Sequence, residues 1–192
     1  MNDPFQQLPV LPVVIPLGIL IFAILLWRLQ ARQFFSLPRA AVAAALGTYV
    51  AGIIANTVFP IYINKPARTE PWTPSIALIP FFDYEVRDAV INVLVFVPLG
   101  ILVSLLLTRP TWWKVMTTAL CASVAIELTQ LAVQGLFAGG HVADVNDLIF
   151  NVIGAAFGVA LLRIITQSQA LTRIVDLFRW APATRDASTT WG

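Results

Sequence analysis

The run DAVINVLVFVPLGILVSLLL, from Asp88 to Leu107, decides the fold class. After Asp88 it carries no charge, and its length matches the roughly 20 apolar residues a helix needs to cross a bilayer core. Working outward, similar runs lie at Val10–Trp27, Arg39–Phe59, Trp112–Leu136 and Asn146–Ile165. The whole chain of 192 residues is 58% hydrophobic and 11% charged, with a mean hydropathy of +0.81. A soluble domain carries about a quarter charged residues, so this chain has too little charge to cover a water-facing surface. A secreted mini-domain, a nucleic-acid binder and an ordinary cytosolic enzyme are all excluded on that ground. A net charge of +2 is also too slight for polyanion binding. The fold class is therefore all-α, a polytopic membrane helical bundle of about five transmembrane helices. Pro12 and Pro16 predict a bent or late-starting first helix. That run does not read as a signal peptide, because its leading segment has Asp3 but no Lys or Arg, and no small-residue cleavage site follows.

The basic residues set the orientation. Arg28, Arg32, Arg39, Arg109, Lys114, Arg163, Arg173, Arg179 and Arg185 fall on one side of the five runs. Lys65, Arg68 and Arg87 fall on the other, beside Glu70, Asp83, Glu85 and Asp88. The positive-inside rule then places the amino terminus outside and the carboxy terminus in the cytoplasm. Trp27, Trp112 and Trp113 belong to the inner aromatic belt, Tyr62 and Tyr84 to the outer one. Prolines at 60, 66, 71, 74 and 80 exclude a regular helix from most of the outer connection. Its apolar part, Ile76–Phe82, is too short to span and is expected at the membrane surface. Residues 1–166 read as a single transmembrane domain and 167–192 as a cytoplasmic interfacial tail. There, Leu171, Ile174, Val175 and Phe178 share one helical face, with Arg173, Asp176 and Arg179 away from it.

Polar groups inside a bilayer are costly, and here they are grouped. At 100° per residue, Ser123, Glu127, Gln130 and Gln134 fall within about 60° of one another on the fourth run. Asp147, Asn151, Gly154 and Gly158 do the same on the fifth, and Asp88 and Asn92 share a face of the third. Taken singly, Asn92, Gln130 and Asn151 also suit interhelical hydrogen bonding, Gly154 and Gly158 close helix packing, and Asp88 and Asp147 helix capping. Glu127 has no such alternative, since no basic residue lies in any apolar core. Counted from the end of its run, Glu127 is expected about 13 Å deep, at the floor of an outward-opening cavity. Cys121 lies off this polar face and is expected in packing, where it forms no intrachain disulfide.

These polar faces carry a resemblance. Asn92-Val-Leu-Val-Phe-Val-Pro98-Leu-Gly100, then Glu127-Leu-Thr-Gln130, then Gly140-His-Val-Ala-Asp144-Val-Asn-Asp147-Leu-Ile-Phe-Asn151-Val-Ile-Gly154 stand in the order and spacing seen in VanZ-like membrane proteins. The resemblance covers residues 88–158. It implies a multi-pass protein of the bacterial cell envelope, seated in the cytoplasmic membrane. The family's founding member is tied to low-level teicoplanin resistance, a property that does not transfer to this chain. His141 stands where the family usually carries arginine. Arginine holds phosphate bidentately at any pH, whereas histidine is largely neutral at pH 7, which leaves Arg87 as the rim cation.

Three functions compete. In the first, an enzyme acts on a lipid-linked envelope precursor or glycopeptide-type amphiphile, with Glu127, Asp144 and Asp147 as catalytic acid–base groups. Asp88, Asn92, Gln130 and Asn151 would bind the headgroup, with His141 and Arg87 meeting a phosphate. In the second, the same face binds or shields without chemistry. The third is a small proton-coupled transporter, disfavoured by the lack of inverted repeats. The expected partner is a membrane lipid or lipid-linked headgroup rather than nucleic acid, and the oligomeric state stays open. No cofactor or metal is expected: no zinc, nucleophile-elbow or phosphate-loop motif occurs, and His141 with Asp144 and Asp147 falls short of a built zinc set.

Overall fold

The structure, a computed structural model, describes residues 6–62, 73, 76–82, 84–137 and 143–180. Five long helices are apolar enough to cross a membrane: α1 (Leu11–Ala31), α2 (Leu37–Val58), α3 (Val86–Leu106), α4 (Trp112–Phe137) and α5 (Val145–Ile165). A short helix, α6 (Gln169–Phe178), follows. Two strands, β1 (Ile76–Ala77) and β2 (Ala143–Asp144), pair in parallel between the α2–α3 and α4–α5 connections. The helices alternate in direction. One end gathers Leu8 N–H on the Ile61 carbonyl, the β1–β2 pair and the start of α3; the other gathers the basic turns.

Local chemistry explains the helix limits. α1 starts at Leu11 with proline in its first turn, where a missing N–H costs nothing, so the late start expected from Pro12 does not occur. The helix then accommodates Pro16 and continues past Trp27 to Ala31. Ser36 caps α2, its hydroxyl accepting from the Arg39 N–H at 3.4 Å. Asp144 caps α5, its carboxylate accepting from the Asn146 N–H at 2.8 Å.

The core lies where α3, α4 and α5 meet. Phe96, Leu99 and Val103 of α3 pack with Val115, Met116 and Ala119 of α4 and Ala155 and Val159 of α5. Glycine permits the closest approach, between the parallel helices α3 and α5. A methyl group added at Gly154 would strike the Val93 carbonyl, one at Gly158 the Val97 carbonyl, and one at Gly100 the Ala155 carbonyl. With little hydrophobic drive between helices in lipid, such backbone proximity is a main source of cohesion. α1 packs against α2 and is otherwise exposed, with only Val14 and Leu29 buried. Cys121 is exposed on α4 rather than packed, because the buried stripe of that helix runs through Val115, Ala119, Ser123 and Glu127.

The tail is docked. Trp180 donates its N–H to the Leu105 carbonyl (3.0 Å) and its indole N–H to the Arg39 carbonyl (3.3 Å). Arg39 Nε in turn donates to the Arg179 carbonyl at 2.8 Å. The apolar stripe of the tail is divided. Val175 and Phe178 pack on Val42, Leu102, Leu105 and Leu162, while Leu171 and Ile174, with Leu177, point away from the bundle.

Candidate functional site

Helix α5 is the hub on which the polar faces converge. From α3, the Asn92 amide donates to Asp147 Oδ1. From α4, Glu127 Oε2 accepts the Asp144 backbone N–H at 3.0 Å. Deeper, the Asn151 amide donates to Ser123 Oγ at 2.9 Å in a fully buried pair. The polar stripe of α4 faces inward as the periodicity requires, with Ser123, Glu127 and Gln134 all buried. The side-chain oxygen of Gln130 is buried and has no hydrogen-bond partner among the described residues.

The relative levels of the helices set the order of the polar groups. α4 has 26 residues, about 39 Å of helix against a hydrocarbon core of about 30 Å. Glu127 stands about 22 Å from Trp112, a little past the middle of the helix. Because its carboxylate reaches the first turn of α5, Glu127 is level with the rim of the site. The Ser123–Asn151 pair forms the floor. Helix α4 runs on past the level at which α5 begins.

Asn146 is a site residue that the sequence analysis did not single out. It is 2% exposed and joins the start of α5 to the Ile76–Phe82 segment. Its amide and backbone N–H groups both donate to Asp144 Oδ1, at 2.9 and 2.8 Å. Its own side-chain oxygen accepts the Phe81 N–H at 2.7 Å. The available signal was an Asx-turn spacing, Asp144 two residues before Asn146 at a helix start. Phe81 follows Pro80 in a turn closed by the Phe82 N–H on the Ile79 carbonyl. Its φ of 60° is unusual for a bulky residue. Phe81, Tyr84 and Phe150 then form an aromatic group, with ring centroids 5.6 to 6.3 Å apart. The segment Ile76–Phe82 thus keeps exposed apolar side chains, as a surface segment should, while its backbone is pinned to the start of α5.

Arg87 and Asp88 are exposed in the first turn of α3. His141, with Gly139 and Gly140, lies outside the described residues, so its place at the rim stays a sequence expectation. Among the described residues, no three metal-ligating side chains converge. None of Glu127, Asp144 and Asp147 pairs with a basic side chain among them either. The site can thus accept hydrogen bonds and protons from a polar group, with carboxylates on two adjacent helices and amides beside them.

The architecture defines a class: a five-span membrane bundle with a carboxylate–amide site centred on one helix start. The VanZ/LLP1 family profile matches residues 13–166, most of the chain, and the protein belongs to that family. The match reaches back over α1 and α2, which carry none of the recognised motif residues, and stops where α5 ends. No curated protein and no solved structure matches the chain.

Proposed function

We propose that this VanZ/LLP1 protein receives the polar headgroup of a lipid-linked envelope precursor or similar amphiphile from the outer leaflet of a bacterial cytoplasmic membrane and acts on it by acid–base chemistry. The observation that carries this reading is the set of three carboxylates around the start of α5, with no basic partner among the described residues. Such a set favours a headgroup rich in hydroxyl or ammonium donors over a bare phosphate. Its tail would stay in the bilayer beside the exposed Ile79, Phe82 and Val86. Glu127 is the proton donor or acceptor, because it is the carboxylate without a capping role. Asp144 and Asp147 hold the start of α5 and supply further acceptors. Asn92, Gln130, Asn151 and Asp88 orient the headgroup, and His141 and Arg87 serve any phosphate at the rim.

Binding without chemistry is the second reading, and one observation favours it. The Asn92 and Asn151 amides already donate to neighbouring helices, which is the geometry of interhelical glue. Native mass spectrometry of wild type and Glu127→Gln, purified in mild detergent, separates the two. A lipid-linked species retained intact by the variant but absent or altered in wild type supports catalysis. Equal retention by both supports binding. No retained species overturns both and favours a transporter.

A further inference from the structure

A second site lies at the opposite end of the molecule. A cavity of about 230 Å³ opens on the basic side, lined by Leu25, Arg28, Leu29 and Arg32 of α1, Phe34, Leu106 of α3 and Trp180. Its two arginines are four residues apart on one helix face, about 6 Å along the axis. Both are exposed, and neither guanidinium has a hydrogen-bond or ion-pair partner among the described residues. Arg39 next to them is different. Its guanidinium donates to the Phe34 and Arg179 carbonyls and lies 5.6 Å from the Phe34 ring centre. Arg39 therefore holds Phe34 of the wall from behind, while Arg28 and Arg32 line the cavity themselves. The wall is fixed from behind, since both N–H groups of Trp180 are bonded to α2 and α3 carbonyls.

The cavity is two-natured in the way a phospholipid is. Its deeper lining, Leu25, Leu29 and Leu106, is apolar and continuous with the membrane-spanning parts of α1 and α3. It also carries two guanidinium groups, each a planar fork of donors that suits phosphate oxygens. It stands at the leaflet where anionic lipids gather and the surface potential is negative. We propose that it is a specific seat for an anionic phospholipid. The phosphate lies between Arg28 and Arg32, the first part of one acyl chain lies against Leu25, Leu29 and Leu106, and Trp180 marks the interface. This seat is independent of the outer carboxylate site.

The test uses the full chain in phosphatidylcholine bilayers doped with phosphatidylglycerol, reading by native mass spectrometry which lipid stays bound. Wild type is expected to retain phosphatidylglycerol preferentially. Arg28→Gln with Arg32→Gln should lose that preference by about thirty-fold, two interfacial charges' worth. Arg109→Gln with Arg173→Gln, on the same side of the membrane, should keep it. Equal loss in both double variants overturns the proposal in favour of diffuse attraction to the whole basic face. Leu25→Trp fills the cavity and leaves both arginines in place, so it serves even if the arginine variant folds poorly. Loss of bound lipid is expected there, and full retention overturns the acyl-chain seat. Added inorganic phosphate should not compete; displacement of the lipid by it assigns the site to free phosphate and overturns the lipid reading.

Discussion

At Gly154 the backbone of α5 lies so close to the Val93 carbonyl of α3 that no side chain fits between them. The neighbour is backbone held in a helix, so it cannot yield as a flexible side chain would. Gly154→Ala should therefore lower stability by about 1–3 kcal/mol, the usual cost of overpacking. Gly52 on α2 is the control, since a methyl group there meets nothing within 4 Å. Gly52→Ala should gain up to about 1 kcal/mol from helix propensity alone. Thermal unfolding in detergent reads both, and equal effects would refute the close approach. The Gly154-x-x-x-Gly158 spacing announced a packing face in the sequence. Which helix would meet it was illegible, because a partner carbonyl leaves no trace in residue type.

The start of α5 shows how an element can be legible while its role is not. Asp144 read as part of a motif and its cap on α5 is local, but its strand pairing with Ala77 and its N–H bond to Glu127 depend on other segments of the chain. The periodicity placed Ser123, Glu127, Gln130 and Gln134 on one face of α4. It did not say that α5 would sit on that face, nor that α4 would overrun the start of α5. For that second reason Glu127 stands level with the start of α5, above the Ser123–Asn151 pair. A prediction follows at this scale. Glu127→Gln keeps a side-chain oxygen at the same reach, so the Asp144 amide should remain protected in hydrogen exchange. Glu127→Leu removes the acceptor, and the amide should lose its protection along with about 1–3 kcal/mol of stability. Unchanged exchange in the leucine variant would show that Glu127 does not anchor α5. The glutamine variant would then retain the fold while losing the proton, which is what makes it the right probe of chemistry.

Across the whole molecule, five apolar runs were enough to set the span number, and the distribution of nine basic residues gives the expected orientation. Those properties arise from transfer into lipid and from charge at its surface, and both are sums over residues that can be read in order. The docked tail was not readable, because Trp180 and Arg39 meet across 141 positions. Orientation matters most for function, since it decides which leaflet faces the carboxylates and which faces Arg28 and Arg32. Labelling tests it directly. In a Cys121→Ala background, which removes the single exposed thiol, Thr73→Cys reports the β1–β2 end and Ser168→Cys the end that carries α6. A membrane-impermeant maleimide added to intact cells should label the first and spare the second until the membrane is opened. The reverse pattern would turn the carboxylate site toward the cytoplasm. It would then see soluble metabolites and the inner leaflet, and the envelope-precursor reading would fall together with the anionic-leaflet argument for the arginine seat.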